Sequence, residues 1–399
     1  MKKYSPYRWV ILLFTVLPCF MMTVCQFQAT PYAAELMQKL SLNEQQYATI
    51  ATAPMLVGVF ISFLSGTLAD RFGVKKTVFV AMIITTVGAL CRAFAPSYGV
   101  LLLVTILMGV AGVTLSSNQA KLMSAWFKPE ELGLAIGLII STGNSGTILA
   151  MLIGKGLSPD VSVAFLYGGI AFAVLTVCWL LFIKERKSEA PDDAEAPEGA
   201  ELPKAEFGKV LKCKRIWLAA VAAAFYMGVN VSVSALLSPG LVARGVSDGA
   251  AALTVIVFSL TALIGSVVMP GVISRQAKTK VLCACLAIVA GVTLYFAWKS
   301  DSPAARNILV AVCGFALGGL LPTLMSFPVL LPEIGPESIG AAGGLISTVL
   351  MAGAFLLPSY VITPLAGGIN DTAFLVAALC AVVLAVLFLI LPHASARKD

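Results

Sequence analysis

The feature that most constrains this chain is a run of about twenty apolar residues without a formal charge, repeated along its whole length. The clearest example is VSVAFLYGGIAFAVLTVCWLLFI, 161–183. An α-helix rises about 1.5 Å per residue, so a run of this size crosses the roughly 30 Å hydrocarbon core of a bilayer. Twelve such runs fall near 9–34, 45–69, 75–95, 97–124, 131–154, 161–183, 215–240, 249–274, 279–298, 304–331, 338–364 and 370–392. Hydrophobic residues make up 59% of the chain and charged ones only 12%, about half the charge of a soluble domain. The runs do not alternate apolar with polar residues and are too long for barrel strands. The expected class is an all-α integral membrane protein with twelve transmembrane helices.

The start, MKKYSPYRWVILLF, has the charge pattern of a signal peptide, but eleven more runs follow and an uncleaved first helix is the better reading. Arg92 lies near the end of the third run and is expected to snorkel to the interface. The nine cysteines are scattered and the single histidine, His393, is in the tail, so neither a metal site nor a disulfide framework is expected. If the chain begins in the cytoplasm, 21 of its 27 Lys and Arg residues fall on that side. The other side holds only Lys39, Arg92, Lys155, Arg244, Lys299 and Arg306. The positive-inside rule then places both termini in the cytoplasm of a plasma (inner) membrane. The +7 net charge reads as a topology signal and not as a nucleic-acid surface. Trp9, Trp126, Trp179, Trp217 and Trp298 all sit at run ends, as an interfacial aromatic belt requires.

The one long polar stretch is KERKSEAPDDAEAPEGAELPKAEFGKVLKCKR, 184–215, rich in Pro, Ala and acid. It reads as a flexible linker (184–214) between an N-terminal bundle, 1–183, and a C-terminal bundle, 215–399. The halves are related. PEELGLAIGLI (129–139) and PESIGAAGGLI (336–346) align without a gap at the starts of the fifth and eleventh runs. Less clearly, PGVISRQAKTK (270–280) stands where the first half has GTLADRFGVKK (66–76), with Ser274 in place of Asp70. Internal duplication of helix bundles is common among secondary transporters.

With twelve helices, a polar central linker and an internal repeat, G-x-L-A-D-R-x-G-x-K-K between runs two and three resembles the loop motif of the major facilitator superfamily. That resemblance covers the whole chain. It implies two pseudo-symmetric six-helix bundles that rock about a central site by alternating access. It also implies that Asp70 faces the start of the eleventh helix, near Ser338 to Gly340, as a latch on the cytoplasmic side. A carboxylate there is favoured by the helix dipole; a local cap with Arg71 is the rival reading. Thr105 stands where the family often has a fourth-helix arginine. Gly66 is expected to allow close packing, Gly73 a tight turn, and Lys75 to help hold the loop inside. Gly133 with Gly137, and Gly340 with Gly344, are spaced one turn apart, which allows helices to approach and slide. Prolines inside the runs (Pro18, Pro31, Pro54, Pro239, Pro322, Pro328, Pro358) are expected to kink or break helices.

No charged residue falls at the middle of a run, which argues against a buried proton relay or a central arginine clamp. Polar amides cluster instead. In the family the cavity is lined mainly by helices one, four, seven and ten, so the substrate-binding candidates are Gln26, Gln28, Asn118, Gln119, Asn144, Tyr226 and Asn230. Their alternative role is hydrogen bonding between helices, about 0.6 kcal/mol per contact. Glu35, at the outer end of helix one, is a candidate for proton coupling, or an interface residue. STGNSG (141–146) and GAAGGLIST (340–348) are similar to the nitrate/nitrite and cyanate porter branch, but run 45–69 lacks the arginine that nitrate porters place there. The expected function is transport of a small polar metabolite or organic anion, in a monomer without a cofactor, with protons or a counter-substrate as conceivable partners. An exporter of hydrophobic compounds and a non-transporting receptor are the alternatives. No nucleophile–base set, metal cluster or phosphate loop points to an enzyme.

Overall fold

In the computed structural model, residues 6–184, 207–273, 279–331 and 339–391 are described, and they are almost entirely helical. The first span joins α1 (Arg8–Phe27), a 3-10 turn (Thr30–Tyr32) and α2 (Ala33–Leu40). Then come α3 (Glu44–Phe72), α4 (Val74–Cys91), the pair α5 (Tyr98–Met108) and α6 (Val110–Ser124), α7 (Pro129–Leu157) and α8 (Val161–Phe182). The second half has a short α9 (Phe207–Lys212), α10 (Lys214–Ala243), α11 (Asp248–Ile273) and α12 (Thr279–Lys299). It continues with α13 (Pro303–Gly318) and α14 (Leu320–Leu330), α15 (Ile339–Leu356), a π-helical turn (Leu357–Ile362), α16 (Thr363–Ala366) and α17 (Asp371–Ile390). Among the described residues, 11 segments are long and apolar enough to cross a membrane. With α3, 29 residues long, they make twelve spans.

The spans sort into two groups. In the first half α1 packs on α7 and α8, α3 on α6, and α4 on α8. In the second half α10 packs on α15, α11 on α13, and α12 on α17. The halves meet chiefly along α3 against α15 and α7 against α11. Both described chain ends, and the residues flanking 185–206, lie on one face, here the linker face; the opposite one is the far face. Residues 185–206 of the expected linker are outside the described residues, and its last part forms α9.

Helix breaks occur at glycines more than at prolines. Pro18, Pro54 and Pro239 lie inside continuous helices, as do Pro322 and Pro328 within α14. Spans four and ten break instead at Gly109 and at Gly318–Gly319. A Cβ on Gly109 would lie 2.1 Å from the Pro54 carbonyl oxygen, and one on Gly318 would lie 2.1 Å from that of Ala262. The fourth span thus crosses the second, and the tenth the eighth, at backbone contact and at equivalent places in the two halves. Pro31 lies in the 3-10 turn and Pro358 in the π-helical turn, where neighbouring groups can satisfy the freed backbone.

The tryptophans depart from a simple belt. Trp179 is fully buried, and its Nε1 donates to the Lys75 carbonyl at 3.2 Å. Trp298 is buried too, stacked on Phe374 at 4.1 Å with Nε1 donating to Asp371 at 2.6 Å. These rings pin the ends of neighbouring helices to one another, α8 to α4 and α12 to α17. Only Trp9 and Trp217 are exposed.

Gly109→Ala is expected to cost about 1–3 kcal/mol by overpacking against immovable backbone. Gly99→Ala, with nothing within 4 Å of the added carbon, is the matched control. Thermal unfolding of the purified variants measures the difference.

Candidate functional site: a closed far face and an open linker face

The arrangement of the bundles is recorded along α3. From Tyr47 to Gly58 every residue except Leu56 is buried. Closer to the linker face, Phe60 is 71% exposed and Leu64 53%. The same change runs along α10, where Val231 to Leu241 are all buried while Val221 and Trp217 are exposed. A helix buried on all sides has neighbours from both bundles; one exposed along a side has lost one of them. A Cβ on Gly58 would lie 2.7 Å from Met351 Cγ across the bundle boundary. On Gly66, Gly137, Gly143, Gly343 or Gly344 it would meet nothing within 4 Å. The bundles converge at the far face and part toward the linker face.

Polar contacts bolt the far face. Thr52 Oγ1 and Ser359 Oγ are 2.8 Å apart, buried between α3 and the π-helical turn. The Tyr47 hydroxyl donates to the Ala235 carbonyl at 3.3 Å. Glu44 accepts from the Ile369 amide in the turn before α17. Lys155 and Asp248 pair at 2.9 Å between α7 and α11, with both side chains at least two-fifths exposed.

The candidate substrate residues divide by what their polar atoms do. Gln28 is buried and its Nε2 donates to the Ala164 carbonyl at 2.6 Å, fastening α1 to α8. Asn118 donates to Thr114 at 2.9 Å and to Ser65 at 3.4 Å, fastening α6 to α3. Their amide hydrogens are committed to the scaffold. Gln26 Nε2, by contrast, is buried with no partner among the described residues. Gln119, Asn144 and Asn230 are half-buried, and among the described residues neither they nor the buried Tyr226 hydroxyl forms a hydrogen bond. These groups sit on α1, α6, α7 and α10, with Tyr226 and Asn230 one turn apart on α10.

The motif residues are placed unevenly. Gly73 has φ 89°, so the tight turn between α3 and α4 requires glycine. A Cβ on Gly66 would meet nothing within 4 Å among the described residues, so no close helix packing is seen there. The Arg71 guanidinium lies 5.2 Å over the Phe72 ring. Asp70 has helical backbone, but its side chain, residues 332–338 and the surroundings of Gly133 and Gly340 are outside the described residues, so the expected latch is too. Ser274 to Lys278 of the second-half copy are likewise outside. Glu35 accepts from the Val161 amide at 3.0 Å, tying α2 to the start of α8. Beside it Asp160 accepts from the Ser162 amide at 2.7 Å. That bond, and then Lys39, hold the Asp160 carboxyl below the usual carboxylate range.

Sequence reasoning missed the bolts. Thr52 and Ser359 carry no signal, since hydroxyls are common in membrane helices. Lys155 and Asp248 do, as opposite charges at the far ends of runs five and eight. Arg92 did not snorkel: it is 4% exposed, inside the first bundle.

The sequence model described as "Major Facilitator Superfamily" matches residues 12–358. The chain belongs to the major facilitator superfamily. A "Probable nitrate/nitrite antiporter" of Thermus thermophilus is 25% identical over 391 residues, covering 90% of this chain and 85% of that protein. A hexuronate transporter of Bacillus subtilis is 30% identical over 173 residues, 41% of this chain and 39% of that one. Among solved structures, a bacterial homologue of the human lysosomal transporter Spinster, inward-facing and occupied, superposes with TM-score 0.78 at 16% identity. It covers 98% of this chain and 97% of its own, so the superfamily fold is shared throughout.

An exposed ion pair contributes about 0.2–1 kcal/mol, so Lys155→Gln should raise opening of the far face at most about fivefold. Labelling of a cysteine at Thr52 by a membrane-impermeant maleimide, in a background without other cysteines, measures it.

Proposed function

We propose that this protein is an inner-membrane secondary transporter that carries a small polar metabolite or organic anion by alternating access, with its linker face in the cytoplasm. The observation that carries this reading is the opposite state of the two faces: α3 is enclosed from Tyr47 to Gly58 and opens beyond it. A channel would need no such asymmetry, and a receptor no passage. The sequence count, with 21 of 27 basic residues in segments on the linker's side of the predicted topology, supports the orientation. The unpartnered polar groups of Gln26, Gln119, Asn144, Tyr226 and Asn230 are our choice for substrate contact. Amide and phenol donors suit a carboxylate or hydroxyl-bearing solute and offer nothing to a hydrocarbon. The nitrate/nitrite and hexuronate relatives fit an anionic or polar cargo.

Uptake of labelled organic acids and polar metabolites into proteoliposomes tests the reading. Saturable uptake of at least one of them is expected, with Asn230→Ala and Gln26→Ala raising KM. Drug resistance on overexpression, without uptake of any polar solute, would instead favour export of hydrophobic compounds.

Two substitutions address the gate and the coupling. The contact assigned to Asp70 would form when the linker face closes, so Asp70→Asn should cut transport severalfold with normal folding. Glu35 serves as an acceptor for α8 in our reading, and Gln keeps an acceptor oxygen. Glu35→Gln should therefore leave pH-driven uptake unchanged; loss of the pH dependence would make Glu35 the coupling group.

A further inference from the structure

Helix α3 begins at Glu44, but the helix does not need that carboxylate to start. Asn43 is the cap: its side chain accepts from the Gln46 amide at 2.8 Å, and the Gln46 side chain accepts from the Asn43 amide at 3.0 Å. The Glu44 carboxylate is left over. It reaches across the bundle boundary to the turn between α16 and α17. That turn is built around one spare donor. Gly367 has φ 68° and Gly368 φ 144°, both in the region that favours glycine. The Gly367 amide goes to the Pro364 carbonyl at 3.1 Å and the Gly368 amide to that of Thr363 at 3.0 Å. Further on, Asn370 caps α17 by accepting from the Thr372 and Ala373 amides. The Ile369 amide lies between these two sets, and Glu44 of the other bundle is its acceptor. Ile369 is buried, and a buried N–H left without an acceptor is costly. Gly368 makes the room: a Cβ there would overlap Glu44 Oε2, whereas one on Gly367 would meet nothing within 4 Å.

α3 carries a carboxylate at each end, Glu44 at the far face and Asp70 at the linker face. They are roughly 39 Å apart at about 1.5 Å per residue. We propose that Glu44 is the far-face latch of the transport cycle, held by the turn Gly367–Ile369 when that face is closed and released when it opens. The far face cannot part while the Ile369 amide is held, so the two ends of α3 engage the second bundle in alternation, Glu44 in one state and Asp70 in the other. The other contacts described across this face lack one ingredient or another. Lys155 and Asp248 are exposed on both sides, and Thr52 and Ser359 are uncharged. At Glu44 a charge, a buried donor and a shaped receptor coincide. The inference rests on the alternating-access reading and gives it a second gate residue.

The test reads both faces by labelling the purified full chain with a polar maleimide, in a background without other cysteines. Thr52→Cys reports on the far face and Asn144→Cys on the linker side. Glu44→Ala is expected to speed labelling at Thr52→Cys about tenfold, more than Lys155→Gln does, because a hydrogen bond to a charged group is lost. Labelling at Asn144→Cys should not speed up. Gly368→Ala should match Glu44→Ala, and the two together should exceed neither alone, since both remove one contact. Gly367→Ala, with open space around its added carbon, should have little effect. If Glu44→Ala does not fold, Glu44→Gln carries the test, with a smaller rise expected because an acceptor oxygen remains. An unchanged rate at Thr52→Cys overturns the proposal. So does a rise at both reporters, which marks loosening of the fold, or effects of Glu44→Ala and Gly368→Ala that multiply. Labelling needs no cargo, so a failed uptake screen and a failed latch are separate results.

Discussion

A polar group inside a bilayer must find its hydrogen bond within the protein, because lipid offers none. The rest of this structure follows from that constraint. The hydroxyls of Thr15, Thr52, Thr114 and Ser232 donate to the carbonyl four residues earlier on their own helices. Gln28 and Asn118 donate to neighbouring helices. Once such bonds are taken out, few buried polar atoms are left without a partner among the described residues. Gln26, Asn144, Tyr226 and Asn230 are left beside the passage between the bundles in our reading. Arg92, buried inside the first bundle, is held by the Cys25 carbonyl and the Phe165 ring.

Packing without a hydrophobic driving force between helices depends on close approach. Gly109 against Pro54 and Gly318 against Ala262 bring backbones into contact at matching points of the two halves. Each half is thereby a stiff body. The boundary between them is different: it is held at the far face by Thr52 with Ser359, Tyr47 with Ala235, Glu44 with Ile369 and an exposed ion pair. Each of these is a modest interaction that can be exchanged for water or for a contact at the other face. Stiff bodies joined by weak bolts are what a rocking mechanism needs.

Much of this was legible in the residues. Charge-free runs of bilayer length announce membrane helices because a charge in hydrocarbon is so costly. GTLADRFGVKK and the paired glycine segments at 129–139 and 336–346 announced the superfamily and its duplication. Gly73 announced a turn that only glycine makes easily. The candidate site was legible only in part. Gln28 and Gln26 are two residues apart and chemically identical, yet one fastens α1 to α8 and the other has no partner. Composition cannot separate them, since the difference is which neighbour each meets.

The sequence by itself determined the class of the protein, the number and order of its spans, and the family, because each depends on local apolar length or a contiguous motif. Tertiary structure alone decided which face is closed, which amides are spent on the scaffold and that Arg92 is buried instead of reaching the interface. Those outcomes depend on contacts between residues far apart in the chain, such as Thr52 with Ser359, 307 positions apart. No local pattern records a contact of that kind.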